Sequence, residues 1–230
     1  ISCGNVSSSL FNTTYTFKED TELSGSLETG TYRLQNADTP VTVSINGSLK
    51  LNGDVLIDQV SLRSKSAVNG NHGDGSGGIY ARGHILILGP NITAPDELPS
   101  DQYVQVFGGD EGGTVTNYTA VSIFSGVYYN VVAGSQNGVV NGSTYLFMRG
   151  GIVLDTVIGG NGGNTSGDKN RINGSAHTYM LGRVVMPGDY YEESALKNSG
   201  IFDNLFDIQE STILTGGSNN GSITGDTYVY

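Results

Sequence analysis

The chain has 230 residues, a length suited to one domain or two small ones, and carries 35 Gly and 13 Tyr but no Trp. Its net charge is −11 with only 11 Lys plus Arg, so it offers no basic surface that would neutralise nucleic-acid phosphates or an anionic membrane. Glycine without a G-X-Y period excludes collagen, and no apolar run is long enough to span a membrane as a helix.

Opening on Ile1 rather than methionine, the chain reads as one whose leader has been removed, or as part of a longer polypeptide. The single cysteine, Cys3, has no internal disulfide partner and is read as a bystander thiol or an intersubunit bridge. Residues 1–29, which include the weakly alternating Ser8–Phe17, read as an N-terminal cap or a strand donated to a neighbour. From residue 30 a period of two takes over. Val41, Val43, Ile45, Leu49, Leu51, Val55, Ile57, Val60 and Leu62 face one interior, with Thr, Ser, Lys and Asp between them facing water. Helix-forming stretches are few and Val, Ile, Thr and Tyr are plentiful, so the predicted class is all-β.

A glycine-rich loop, "NGNHGDGSGG", runs from Asn69 to Gly78 with His72 and Asp74 inside it and Arg82 and His84 shortly after. Calcium takes about six to eight oxygens, and this run supplies one carboxylate plus amides and carbonyls. An ordinary loop is therefore the expectation, and calcium near Asp74 is the one cofactor reading on offer. Pro90, Pro95 and Pro99 mark a loop over 90–100.

From Val106 the chain repeats itself. Val106-Phe107-Gly108-Gly109, Val132-Ala133-Gly134, Ile158-Gly159-Gly160 and Leu214-Thr215-Gly216-Gly217 each open a copy. "SQNGVVNGSTYLF" (Ser135–Phe147) aligns without a gap on "SNNGSITGDTYVY" (Ser218–Tyr230). A third copy carries an insertion over Gly162–Arg171 and recovers the pattern in Ile172-Asn173-Gly174-Ser175 and Thr178-Tyr179. A second insertion, over 187–209, breaks the alternation, with a short helix expected at Tyr191–Lys197. Repeats of about 25 residues are the size of a solenoid coil. Residues 30–230 are thus predicted to form a parallel β-solenoid (β-helix) of about nine coils, a rod on the order of 40 Å long at a strand spacing of ~4.8 Å. Val43, Ile45, Val121, Ile123, Val140, Leu146 and Ile223 are its expected inward residues.

The string of GG-x-x-NG-x-V-x-G-x-T-Y units resembles the right-handed parallel β-helices of the pectin-lyase-like superfamily, in particular the Gly/Asn-rich repeats of secreted and cell-surface adhesin-like proteins. The resemblance is architectural and covers Val106–Leu181 and Leu214–Tyr230. It implies a parallel solenoid but no single activity, since such helices include lyases, hydrolases, adhesins and fibre subunits. A polysaccharide lyase of this kind needs a basic proton acceptor, for which Arg63, Lys65, Arg82, Arg149 and Arg183 are the candidates. A glycoside hydrolase needs two carboxyls about 5–10 Å apart on one groove. Adjacent Asp110 and Glu111 point to different sides of an extended backbone, and the next copy has Ser135 and Gln136 in their places. Convergence of acids and an arginine would have to come from Asp54, Asp58 and Arg82. The histidines (His72, His84, His177) pair with no nucleophile, so no catalytic or metal-ligating residue is assigned.

Nine N-x-S/T sequons, at Asn5, Asn12, Asn46, Asn91, Asn117, Asn141, Asn164, Asn173 and Asn220, read as N-glycosylation sites on exposed corners. Tyr145, Tyr179 and Tyr228 recur at one repeat position and are expected to stack along the rod, as a stabilising ladder or as a platform for sugars. Together these features predict an extracellular or cell-surface structural or adhesive glycoprotein, a subunit of a head-to-tail fibre. Its partners would be its own copies and glycans, with neither nucleic acid nor a membrane span involved. The alternatives are a carbohydrate-active enzyme on a β-helix and a carbohydrate- or ice-binding module.

Overall fold

Apolar side chains at every second position, interrupted by glycine-rich corners, dictate short strands that bury one face. The structure is a computed structural model that describes residues 13–34, 41–65, 77–95, 98, 102–163, 169–181, 183–185, 205–208, 213–219 and 221–230. Among these residues the chain forms strands of two to ten residues and no α-helix. The strand pairs are parallel. The protein is all-β with long parallel sheets, an arrangement consistent with a β-solenoid.

An eight-stranded sheet stacks Thr14–Phe17, Gly30–Leu34, Val55–Asp58, Ile85–Leu88, Thr119–Ile123, Thr144–Met148, Ala176–Met180 and Thr227–Val229. A ten-stranded second sheet includes Thr21–Leu27, Thr42–Leu51, Gly78–Tyr80, Val104–Phe107, Val127–Val132 and Gly151–Ile158. A third, four-stranded sheet holds the two-residue strands Thr114–Val115, Val139–Val140, Arg171–Ile172 and Ser222–Ile223. That third sheet explains where the repeat motif begins. Before it, the chain turns directly from the second sheet to the first, as at Asn52-Gly53-Asp54. After Phe107 each passage adds a Gly-Gly or, at Ala133-Gly134, an Ala-Gly corner, a third-sheet strand and a second glycine corner, and these are the elements the motif spells out.

Bonded neighbours on successive rungs are not evenly spaced along the chain. Thr42 takes its partner Asp20 from 22 residues back, Ile85 takes Asp54 from 31, Asp110 meets Ser135 at 25, Ser175 meets Ser143 at 32, and Asp226 meets Ser175 at 51. The spacing near 25 is local. Strands hold register while extra residues leave at the corners, because lengthening a loop costs entropy only logarithmically. Thr14–Phe17 and Thr21–Leu27, from the segment read as a cap, contribute an outermost strand to each of the two large sheets. In the 90–100 loop Thr93 bridges Ser61, and within 187–209 the strand Leu205–Ile208 pairs with both Gly151–Ile158 and Arg183–Val185. The helix expected at 191–197 lies outside the described residues.

Parallel register makes the interior a set of aliphatic columns. Val55, Leu86, Val121 and Leu146 form one, and Ile57, Leu88, Ile123 and Met148 another. Each of these eight is at most 1% exposed. The inward residues expected from the alternation are buried, except that Ile223 is half-buried against Val115, Val140 and Ile172. Tyr128 is buried completely, its hydroxyl donating to the Ser125 carbonyl at 2.7 Å, and burial pushes its phenol pKa up.

The corners are built by backbone contact and by buried oxygens. Gly109, Gly134, Gly160 and Gly217 succeed one another from rung to rung, the N–H of each of the first three donating to the carbonyl of the next at 2.8–2.9 Å. A Cβ on Gly160 would fall 2.8 Å from the Gly217 carbonyl carbon, so this corner admits only glycine. At the following positions, Asp110, Ser135, Asn161 and Ser218, the last three share one task, a side-chain oxygen that accepts from the backbone N–H of the preceding rung. Ser135 Oγ accepts from the Asp110 N–H at 3.1 Å, Asn161 Oδ1 from the Ser135 N–H at 2.7 Å, and Ser218 Oγ from the Asn161 N–H at 3.0 Å. The threonine of the Thr-Tyr pair is explained similarly. Thr119 Oγ1 donates to the Ala133 carbonyl at 2.6 Å and Thr144 Oγ1 to the Gly159 carbonyl at 2.5 Å, tying the first sheet to the Gly-Gly corner across the interior.

Asn161 is fully buried and also donates Nδ2–H to the Gly138 carbonyl at 2.8 Å. Asn161→Ala strands a buried N–H and a buried carbonyl, each worth ~1–3 kcal/mol, so urea unfolding should show a loss of about 2–4 kcal/mol. A smaller loss for Asn161→Ala than for the exposed Asn173→Ala would refute this account of the corner.

Candidate functional site

The alternation that buries Leu146 and Met148 also turns Tyr145 and Phe147 outward, and the same holds on the next two rungs. His177 and Tyr179 project from Ala176–Met180, and Tyr228 and Tyr230 from the rung beyond. Strand register places Tyr145 beside His177 and His177 beside Tyr228. Phe147 pairs with Tyr179, and Tyr230 is fixed beside Tyr179 by its N–H donating to Thr178 O and its carbonyl accepting from Met180 N. The result is two adjacent aromatic columns. In one, Tyr145, His177 and Tyr228 stack at 4.9 and 4.8 Å with interplanar angles of 5° and 10°. In the other, Phe147, Tyr179 and Tyr230 stack at 4.8 Å each, at 6° and 9°. The columns lie side by side, 6.4 Å apart at His177–Tyr179 and 5.9 Å apart at Tyr228–Tyr230.

The expected ladder of Tyr145, Tyr179 and Tyr228 is therefore corrected. Tyr179 belongs to the Phe147 column, and His177 takes the place between Tyr145 and Tyr228. The cause is a slip of two in the reading of the third copy: Ala176, not Thr178, pairs with Thr144. A shift of two residues preserves which face a side chain occupies, so hydrophobic patterning alone does not detect it. Phe147, His177 and Tyr230 were missed for that reason, although each stands two residues from a motif aromatic or opposite one.

The geometry favours the stabilising reading of the ladder. A sugar-stacking platform needs free ring faces, whereas these rings face one another and turn edges and hydroxyls outward. Tyr118 closes on Tyr145 edge-on at 6.3 Å and 79°. The Tyr228 hydroxyl donates to Asp226 Oδ2 at 3.0 Å, and this bond pushes the Tyr228 phenol pKa up.

The described sequon asparagines, Asn46, Asn91, Asn117, Asn141 and Asn173, are all exposed. Asn173 Nδ2 donates to Asn141 Oδ1 at 2.9 Å on the neighbouring rung, and Asn91 Nδ2 to Asp58 Oδ2 at 3.2 Å. Asn46 donates to Glu22, whose pKa is held below the usual value chiefly by its hydrogen bond with Lys65 and also by that with Asn46. Asn5, Asn12, Asn164 and Asn220 lie outside the described residues, as do Cys3, His72 and the calcium candidate Asp74.

The described acids and bases singled out earlier are occupied locally, while the Arg183 side chain lies outside the described residues. Asp54 Oδ1 accepts from the Ile85 N–H at 2.8 Å and lies 3.9 Å from His84 Nδ1. Asp58, at the other end of its strand, accepts from the Asn91 N–H at 2.9 Å. Arg82 turns to Asp110, Nε to Oδ2 at 3.6 Å, and Glu111 to Lys50 at 3.3 Å. Arg63 Nε donates to Ser44 Oγ at 3.0 Å, Lys65 pairs with Glu22, and Arg149 lies over the Phe124 ring at 5.3 Å. Among the described residues no three His, Cys, Asp or Glu side chains are grouped to hold a metal ion, and no helix is long and apolar enough to cross a membrane. Comparison of the chain with protein-family models, curated proteins and solved structures finds no match.

Each aromatic contact is worth ~0.5–1.5 kcal/mol beyond burial. His177→Ala, which breaks two, should cost on the order of 1–3 kcal/mol in urea unfolding, while His177→Tyr should be near neutral. Equal losses for the two variants would show that the ring at 177 contributes no stacking.

Proposed function

We propose that the chain is a β-solenoid with the right-handed parallel β-helix architecture of the pectin-lyase-like superfamily, and that it works as an extracellular structural or adhesive surface glycoprotein. Its copies associate head to tail. The observation that carries the reading is that every rung is a template for the next. Leu214, Ile223 and Val229 continue the inward columns of Val157, Ile172 and Thr178. Leu214 remains 38% exposed and Val229 49%, so each still has an apolar face to offer a further rung. A further rung, from another copy or from more of the same polypeptide, would pair with these strands and cover those side chains. A heterologous contact of this kind propagates as a filament when it does not close into a ring. The exposed sequons support the glycoprotein part of the reading, because sugars at those corners would project into solvent without entering the interior.

Light scattering and electron microscopy of concentrated protein test the assembly, with Val229→Asp placing a charge on the uncovered column. Filaments or rods longer than one chain are expected, and their loss in Val229→Asp with an unchanged β-type circular-dichroism spectrum. A protein that stays monomeric at high concentration, or a variant that assembles normally, defeats the head-to-tail contact. Mass analysis before and after deglycosylation of protein from its natural source should show N-glycans at the sequon asparagines. A mass equal to the bare chain removes the glycoprotein reading.

A further inference from the structure

We infer that the outer aromatic face is a site of oxidative tyrosine cross-linking, and that Tyr179 and Tyr230 are the pair that couples. Within the two columns two phenols stack directly on each other at one place. In the first column His177 separates Tyr145 from Tyr228, and in the second the other neighbour of Tyr179 is Phe147, which has no phenol. Tyr179 and Tyr230 are therefore the tyrosine pair stacked in direct succession within a column, at 4.8 Å and 9°. Their backbones are locked together by the Tyr230–Thr178 and Met180–Tyr230 bonds, so the rings meet without having to search for each other. Tyr230 is 58% exposed, which leaves its ring accessible and free to swing. Tyr15 and Tyr32 stack as closely, at 4.6 Å, but Tyr32 faces the interior at 6% exposure with its hydroxyl held by the Glu28 carbonyl. Tyr228 lies farther from Tyr230, at 5.9 Å, and its hydroxyl is engaged by Asp226.

The oxidant is a haem peroxidase acting with hydrogen peroxide. Each phenol gives up one electron and its hydroxyl proton, leaving a phenoxyl radical with spin on the Cε carbons. The two radicals join through one Cε of each ring. The hydrogens displaced from those carbons pass to the oxygens as aromaticity returns, so two phenols lose two hydrogen atoms overall. One hydrogen peroxide is reduced to two waters in the same turnover. The product is a dityrosine bridge between adjacent rungs, a covalent staple across the strand pair.

The test treats the whole chain with peroxidase and hydrogen peroxide, isolates the monomer and reads dityrosine fluorescence and the linked peptides by mass spectrometry. The expected product is a bridge joining the peptides that contain Tyr179 and Tyr230. Tyr179→Phe and Tyr230→Phe keep the rings stacked but remove a phenol, and each should abolish the monomer's dityrosine signal. Tyr118→Phe, which removes an exposed tyrosine lacking a stacked tyrosine partner, should leave it unchanged. Circular dichroism of each variant confirms that the sheets persist. Undiminished fluorescence in Tyr230→Phe, a bridge at Tyr15–Tyr32 or Tyr228–Tyr230 instead, or bridges found between molecules alone would overturn the assignment.

Discussion

Parallel pairing puts a paired residue one strand spacing, ~4.8 Å, from its counterpart on the next rung, with local register shifts in the second sheet at Leu23/Gly25 and Tyr128/Asn130, and the columns of the molecule follow from that repeat. A side chain's nearest neighbours are then chosen by its column. Aliphatic columns give a dry interior, glycine columns let backbones approach, and aromatic columns stack. Like charges in one column would repel at that distance, which accounts for a composition with only 14% charged residues. Some of the described charged groups meet opposite partners across rungs or corners, as in Glu22 with Lys65 and Asp110 with Arg82.

This constraint also determines what was legible in the sequence. Inward and outward faces were readable because parity is fixed by the pleat, and Val43, Ile45, Val121 and Leu146 fall inside as the alternation required. The Gly-Gly corners were readable because close backbone approach admits one residue type. The corner oxygens were not, since Ser135, Asn161 and Ser218 share a geometry but not one residue type. Pairing across the third copy was not legible either, because a slip of two leaves every side chain on its proper face. The register at Ala176 is set in three dimensions, where Ser175 N–H donates to Ser143 Oγ at 3.1 Å and fixes the strand that follows.

The uneven spacing between rungs has the same origin. A rung is specified by a few residues per sheet, so a corner can release a short turn or a long excursion without disturbing the columns. The third sheet is such an addition. In the first half of the described chain two sheets enclose the core, whereas after Phe107 a two-residue strand per rung adds a second small apolar column of Val115, Val140 and Ile172. The motif that marks the repeat is therefore the signature of that extra wall and its glycine corners. The earlier part of the ladder, from Gly30 to Ser64, obeys the same stacking without the full motif, of which it carries only fragments such as Gly30-Thr31-Tyr32 and Asn46-Gly47-Ser48.

The aromatic face shows how far a ladder limits its own chemistry. Stacking stabilises the wall by occupying the faces of the rings, the surfaces a sugar or a cation would need. What remains outward is a row of edges and phenol hydroxyls, suited to hydrogen bonding and to chemistry at oxygen or at the carbons beside it. The identity of each ring then matters more than its shape. His177 fits between Tyr145 and Tyr228 because a flat ring is all the stack requires, and Phe147 serves beneath Tyr179 for the same reason. Neither can exchange a phenolic hydrogen with its neighbour. Two substitutions that leave packing intact thus divide a continuous aromatic wall into structural contacts and a single reactive one.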